Sequence, residues 1–203
     1  MLLVHGLWTN RAVMLYLARA LGARGFPSRT QGYFSALHEF EHNAAQVARA
    51  LAAMPGERIH VVAHSLGGLV VLRALARRPD ARVKRVVLLG APVADCFAGR
   101  ELARTRWVAP LLGCTRALWL DLPRLDVPAG VEAGAIAGTR PLGLGRLVLR
   151  LPGPSDGVVL LEETRHPRLA DHLALPVAHS QMLVSPAVAD QVAAFLRTGE
   201  FVR

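Results

Sequence analysis

Long apolar runs, metal-binding clusters and internal repeats are all missing from this sequence of 203 residues. It contains no apolar stretch of about 18 residues or more, so we expect no helix that spans a membrane. Its two cysteines, Cys96 and Cys114, form no Cys-x-x-Cys pair and no Cys/His cluster, and so do not indicate a zinc site. With 52% hydrophobic residues and no recognisable linker, residues 1–203 are predicted to form one domain with a large core.

A secretory signal peptide is also missing from the first residues. The opening MLLVHGLW has neither a basic n-region nor a useful apolar h-region, and is typical of a buried strand. We therefore expect a cytoplasmic protein, although a mature secreted chain whose first residue was replaced by Met1 fits the same sequence. Free thiols are expected in the first case, whereas an oxidising compartment would allow a disulfide between Cys96 and Cys114.

Lysine is nearly absent, because Lys84 is the only lysine among 24 basic residues. The net charge of +9 would suit an anionic partner such as a phospholipid surface or nucleic acid. The arginines, however, are scattered singly and in pairs, without a dense run or interleaved aromatic residues, and a GC-rich coding sequence gives the same excess. We therefore predict neither a nucleic-acid partner nor stable insertion into a membrane.

Short apolar runs alternate with helical patterns along the chain, which is typical of an α/β fold. Strands are predicted at residues 2–4, 28–32, 59–63, 83–89, 134–138 and 173–177. Helices are predicted at residues 11–21, 41–53, 66–77 and 186–197, the last with Ser185 as N-cap, Pro186 at the first position and a stop at Gly199. Residues 94–132 are predicted to form an irregular, helix-bearing excursion above the sheet.

The tripeptide Ala-His-Ser occurs twice, and the first copy lies in VVAHSLGG between a predicted strand and a predicted helix. A strand that turns at once into a helix needs a strained bend with small residues around it, here Ala63 and Gly67. Such a bend exposes the Ser65 hydroxyl as a nucleophile, whereas a plain N-cap serine would be the simpler interpretation. The elbow constrains His64, which we interpret as a packing or locally hydrogen-bonded residue and not as the base.

The second copy supplies the candidate base. A serine needs a positioned base, and in one large class of serine enzymes the order along the chain is nucleophile, acid, base. His179 follows the last predicted strand, at the edge of the sheet where ligand-facing groups gather. His166 and His172 lie in a polar, arginine-rich stretch that suggests surface.

The acid must lie between these two residues. Asp156 in GPSDGVV follows the fifth predicted strand and its loop, which favours it over a simple Asp-Gly turn. Asp121 and Asp126 are the fallback candidates, and Asp95, Asp171, Glu162 and Glu163 also compete.

The loop HGLW after the first strand is the candidate for half of an oxyanion hole. One backbone donor follows the nucleophile, here the N–H of Leu66, and the other comes from an early strand-to-helix loop, here the N–H of Leu7. Gly6 would allow close approach, and His5 would brace the loop.

These motifs together (VHGL, AHSLGG, LGAP, SDGVV and HSQML) resemble the small bacterial lipases and esterases of the α/β-hydrolase superfamily, particularly the minimal lipases with an Ala-x-Ser-x-Gly elbow. The resemblance covers almost the whole chain. It implies a trimmed α/β-hydrolase fold, a mostly parallel sheet with helices on both faces, and Ser65, Asp156 and His179 as a triad with Leu7 and Leu66 as oxyanion donors. The excursion looks longer than in the minimal lipases.

The expected function is hydrolysis of a small-molecule or lipid carboxylic ester through an acyl-enzyme, without a metal or organic cofactor. A thioesterase or acyltransferase with the same triad remains open, as does a non-catalytic binding module on a hydrolase fold. Trp8, Trp107 and Trp119 are candidate substrate contacts. The apolar residues of the excursion either bind the acyl group or pack the segment onto the sheet, and both interpretations can hold for different residues.

Overall fold

A six-stranded parallel sheet forms the centre of the computed structural model, which describes residues 1–123, 125–142 and 151–203. The spatial order is β2-β1-β3-β4-β5-β6, and every neighbouring pair is parallel. The strands are β1 (Leu2–Val4), β2 (Arg29–Gln31), β3 (Ile59–His64), β4 (Val83–Leu89), β5 (Glu132–Gly138) and β6 (Asp171–Leu175). The predicted α/β class with a mostly parallel sheet is confirmed.

Helices cover both faces of this sheet. They are α1 (Leu15–Gly22), α2 (Phe40–Ala52), α3 (Leu66–Arg77), α4 (Phe97–Arg104), α5 (Arg116–Leu120) and α6 (Pro186–Thr198). Short 3₁₀ segments lie at Arg11–Met14, Ala109–Thr115, Glu162–Thr164 and Ser180–Leu183. Over the described ranges, no helix combines the length and the apolar character needed to cross a membrane.

Alternating strand residues belong to two separate hydrophobic cores. In β3, Val61 and Ala63 pack with α2 and α3 on one face, while Val62 packs with α1 and α6 on the other. Strands β1, β3 and β4 are buried on both faces and read as nearly continuous apolar runs, which is why they could be found in the sequence. Strand β2 is instead a polar edge strand.

The helix boundaries follow local signals. The Ser185 hydroxyl accepts a hydrogen bond from the Val188 N–H at 3.4 Å, and Gly199 ends α6 with a φ of 89°, as predicted. The predicted helix at 11–21 instead begins as a 3₁₀ turn, in which the Asn10 side chain is the N-cap and accepts from the Ala12 N–H at 2.8 Å.

Strand β6 begins two residues earlier than predicted and ends before Pro176. Its first residue pairs with Gly134 of β5, so hydrogen bonding extends the strand through the polar residues Asp171 and His172. A search for apolar runs does not include polar residues such as Asp171 and His172, so the start of β6 was missed. The strand ends before Pro176 because proline has no N–H with which to continue the hydrogen bonding.

The excursion is partly helical and is attached to the body of the domain. The Cys114 N–H donates to the Ala36 carbonyl at 2.8 Å, and the indole N–H of Trp8 donates to the Leu111 carbonyl at 2.8 Å. Both cysteines are free, with Cys96 buried and Cys114 exposed. Burial raises the pKa of the Cys96 thiol to about 12.

Candidate active site

Ser65 lies at a strained turn between β3 and α3. Its φ of 54° and ψ of −129° fall where residues other than glycine are seldom found, and Trp8 is the other such residue in the described part of the chain. The Ser65 N–H donates to the Leu89 carbonyl at 2.9 Å, which fixes the turn to the end of β4.

The small residue after the turn is required by contact with β1. A Cβ on Gly67 would lie 2.3 Å from the His5 carbonyl oxygen and 2.8 Å from that of Val4. The VVAHSLGG pattern indicates a small residue at this position, but not that the His5 and Val4 carbonyls are the neighbours that require it. Glycine here lets the first turn of α3 approach the end of β1.

Asp156 and His179 meet in a buried hydrogen bond. His179 Nδ1 lies 2.7 Å from Asp156 Oδ2, and the two residues are 8% and 1% exposed. A second bond runs from the His179 N–H to the Asp156 carbonyl at 2.9 Å. Because a carboxylate only accepts, Nδ1 of His179 carries a proton, and in the neutral ring Nε2 is therefore the acceptor.

The carboxylate of Asp156 is fixed on its other side as well. Oδ1 accepts from the Val158 N–H at 2.9 Å and from the Val159 N–H at 2.8 Å. With both oxygens occupied, the side chain has one orientation, and that orientation directs Oδ2 at His179.

Gly90, directly after β4, makes room for this pair, and sequence analysis did not assign it a role. A Cβ at Gly90 would lie 2.9 Å from Asp156 Oδ2 and 3.1 Å from His179 Nδ1, and its φ is 54°. The neighbouring Leu89 carbonyl holds Ser65, so the end of β4 lies against both the serine turn and the Asp156–His179 pair. The structure thus brings the three predicted residues to one edge of the sheet.

His5 braces the loop that follows β1. Its Nε2 accepts from the Tyr33 N–H at 3.3 Å, so the ring is protonated on Nδ1, which donates to the Gly6 carbonyl at 2.9 Å. The ring stacks on Tyr33 with centroids 4.4 Å apart. Burial lowers the pKa of His5, which favours the neutral ring that an accepting Nε2 requires.

Two backbone donors remain available beside Ser65. Among the described residues, neither the Leu7 N–H nor the Leu66 N–H donates to another protein atom. Leu66 begins α3, where the helix dipole is positive, and a Cβ on Gly6 would lie 2.9 Å from Ser65 Cβ. This arrangement can stabilise negative charge next to Ser65.

The competing acids and histidines lie elsewhere. Asp121 is exposed at the end of α5, and the exposed Asp126 lies 3.3 Å from an Arg168 nitrogen and 3.6 Å from His166 Nε2. His172 is half-buried on β6, with Nε2 2.8 Å from the Thr164 hydroxyl, so its placement differs from the surface position that was expected.

Glu163 has a structural role that sequence analysis missed. This buried carboxylate accepts hydrogen bonds from the Phe97 N–H at the start of α4 and from the Leu160 N–H, the latter at 2.8 Å. It therefore ties the excursion to the segment that carries Asp156. Burial raises the pKa of Glu163.

The three candidate tryptophans have different surroundings. Trp107 is 82% exposed and Trp8 is half-exposed, while Trp119 is 3% exposed and packs against Gly99 in the core. The Trp8 N–H donates to Ser35 Oγ at 3.1 Å and its indole N–H donates to the Leu111 carbonyl, so Trp8 lies near further exposed apolar residues. We call the exposed residues Trp8, Phe34, Leu37 and Leu111 the Trp8 surface. Leu111 belongs to the apolar residues of the excursion that were considered for acyl binding, whereas Phe34 and Leu37 were not predicted, because they are distant from the excursion in the sequence.

Within residues 1–123, 125–142 and 151–203, no group of three or more His, Cys, Asp or Glu side chains is arranged to hold a metal ion.

The sheet topology, the strained serine turn and the Asp156–His179 pair fit one class of protein. The family model for the α/β hydrolase fold matches residues 1–111, and the chain belongs to that family. No match was found among curated protein sequences.

Solved structures of lipases and esterases share this fold. A mature lipase from Bacillus licheniformis, BlEst2, superposes with a TM-score of 0.76 at 19% identity, over 97% of this chain and 89% of that one. A lipase-esterase related protein from Clostridium acetobutylicum gives 0.66 at 13% identity, over 99% and 93%. The metagenomic carboxyl esterase MGS0156 gives 0.61 at 19% identity, over 97% and 74%.

Proposed function

We propose that this protein is a serine hydrolase that cleaves carboxylic esters through an acyl-enzyme. The observation that carries the proposal is the buried Asp156–His179 hydrogen bond at 2.7 Å beside the strained serine turn. A strained backbone and a buried, oriented imidazole both cost stability, and such features cluster at active sites.

The reaction would proceed as two acyl transfers. His179 Nε2 takes the Ser65 hydroxyl proton while Oγ attacks the ester carbonyl carbon, and the Leu7 and Leu66 N–H groups stabilise the resulting oxyanion. The intermediate collapses, and the departing alcohol receives the proton from His179. Water then attacks the acyl-enzyme with His179 as base, which releases the carboxylic acid and restores Ser65.

We propose the Trp8 surface, together with Trp107, as the region that binds the acyl group. It adjoins the Leu7 backbone donor and is continuous with the excursion through the Trp8–Leu111 hydrogen bond. Exposed apolar patches of this kind usually bind something. Trp119 is buried, so we assign it to packing.

The test is covalent labelling with a fluorophosphonate, located by mass spectrometry, and hydrolysis of an ester series from acetate to palmitate. We expect label on Ser65 and about a 10⁴-fold or greater loss of turnover in Ser65→Ala. Ser180→Ala is the matched control, because Ser180 is the exposed serine of the other Ala-His-Ser tripeptide.

Three outcomes would change the proposal. Absence of label and of turnover in folded wild-type protein would favour a binding module on a hydrolase fold. A preference for thioesters, or for added alcohol over water as acceptor, would assign the same residues to a thioesterase or an acyltransferase.

A further inference from the structure

We propose that His64 is a positioning residue, which holds the His179 backbone in place so that the base stays aligned with Ser65. The inference rests on the proposed function. It goes beyond that function because His64 contacts neither the Ser65 hydroxyl nor the Asp156 carboxylate in the described hydrogen bonds.

The first support is a hydrogen bond across 115 residues of sequence. His64 Nε2 lies 3.1 Å from the His179 carbonyl oxygen, and both partners are buried. A carbonyl only accepts, so Nε2 is protonated and donates. The two rings lie with centroids 4.5 Å apart and planes tilted by 48°.

The second support is the way His179 is held. Asp156 binds the His179 N–H through its carbonyl and the His179 ring through Oδ2. Both of these contacts come from one residue, whereas His64 reaches the His179 carbonyl from β3, a different segment of the chain. Without His64, the hydrogen bond that joins the base to the serine-bearing end of β3 is lost.

The third support is the unused nitrogen of the same ring. His64 Nδ1 is buried with no partner in the described residues, and a Cβ on Gly6 would lie 3.2 Å from it. A buried nitrogen without a partner costs free energy, and an apolar side chain would avoid that cost. The bond at Nε2 is therefore the feature that distinguishes histidine from a packing residue here.

His64 also retains its donor throughout the reaction. Burial, and next the charge on neighbouring His179, lower the pKa of His64 well below its ordinary value. His64 thus stays neutral when His179 becomes an imidazolium, and does not compete for the proton. His64 directly precedes Ser65 in the chain, so its Nε2 donor and the serine nucleophile belong to the same turn and move together.

The experiment compares two amides of different reach. Gln in His64→Gln places its amide nitrogen near the position of Nε2 and can still donate to the His179 carbonyl, whereas Asn in His64→Asn is too short to do so. Turnover of a short-chain ester is measured per active site, after titration with a phosphonate inhibitor. His60→Gln is the control, because His60 is a half-buried histidine on the same strand, distant from the site.

We expect His64→Asn to lower kcat by about 10²-fold with KM nearly unchanged, since loss of alignment affects the reaction more than binding. His64→Gln should recover most of that loss, and His60→Gln should leave kcat near that of wild type. Equal kcat in the Gln and Asn variants, or a loss that disappears once active sites are counted, would refute a positioning role.

A second readout does not depend on activity. The Nδ1 proton of His179, bonded to Asp156, should give a low-field NMR signal that persists in His64→Gln and broadens in His64→Asn. An unchanged signal in both variants overturns the inference even if the wild-type protein cleaves no ester. Conversely, the wild-type protein could prove inactive while the NMR signal still differs between His64→Gln and His64→Asn. That result would refute the proposed function and would still support His64 as the residue that positions His179.

Discussion

Replacing Asp156 with asparagine should abolish most turnover while leaving the fold intact. Oδ1 accepts from the N–H groups of Val158 and Val159, and only an oxygen can accept there. The asparagine carbonyl must therefore occupy that position, which places its NH₂ group opposite His179 Nδ1. An NH₂ group donates, so His179 would become the tautomer protonated on Nε2, which cannot take a proton from Ser65.

The expected loss follows from this reversed tautomer. A correctly placed asparagine in an equivalent Ser-His-Asp arrangement reduces turnover by about 10⁴-fold. Stability should change much less, because the two backbone hydrogen bonds to Oδ1 survive, while the bond to His179 is a single charge-assisted contact worth about 1.5–3 kcal/mol.

The assay is kcat on a short-chain ester, together with urea unfolding of the same preparations. Asp126→Asn is the matched control, because Asp126 is an exposed aspartate outside the site. A folded Asp156→Asn protein that retained more than about a tenth of wild-type turnover would show that this carboxylate does not set the tautomer of a catalytic base.

Three further predictions concern packing, pH and substrate. Gly67→Ala should lower the free energy of unfolding by about 1–3 kcal/mol, because the added Cβ would clash with the His5 carbonyl. Gly22→Ala is the control and should cause no such loss, because the space around Gly22 is open. Equal urea midpoints for the two variants would contradict the predicted clash. Because the pKa of His64 is depressed below 6.5, the unfolded chain binds a proton there that the folded chain does not. The free energy of unfolding should therefore fall as pH drops below about 6.5, and His64→Gln should flatten this slope by up to about 1.4 kcal/mol per pH unit in urea titrations; an unchanged slope would mean that His64 titrates normally. Trp107→Ala should reduce kcat/KM for palmitate esters several-fold more than for acetate esters, and should change the free energy of unfolding by less than about 0.5 kcal/mol. Trp119→Ala should instead lower the free energy of unfolding by about 3–5 kcal/mol. A uniform loss of activity across chain lengths in Trp107→Ala would place the acyl site elsewhere.

The elements and the serine turn could be predicted because their causes are local. Buried parallel strands are continuous apolar runs, and α6 has its serine cap, proline and terminal glycine within the segment itself. Ser65 lies between a strand and a helix with glycine two residues later, a pattern that needs no knowledge of distant residues. Strand boundaries that depend on pairing with a neighbouring strand were predicted less accurately. The start of β6 at Asp171, for example, is set by pairing with Gly134 of β5.

Contacts between distant parts of the chain were decided by the tertiary structure alone. The sequence favoured Asp156 among several acids, but only the packing of two loops that follow β5 and β6 brings its carboxylate to His179 beside Gly90. Likewise, Trp107 and Trp119 look alike in the sequence, yet one is exposed and the other packs on Gly99. Local backbone preference determines the turn that presents Ser65, whereas close packing of separate segments determines which side chains surround it.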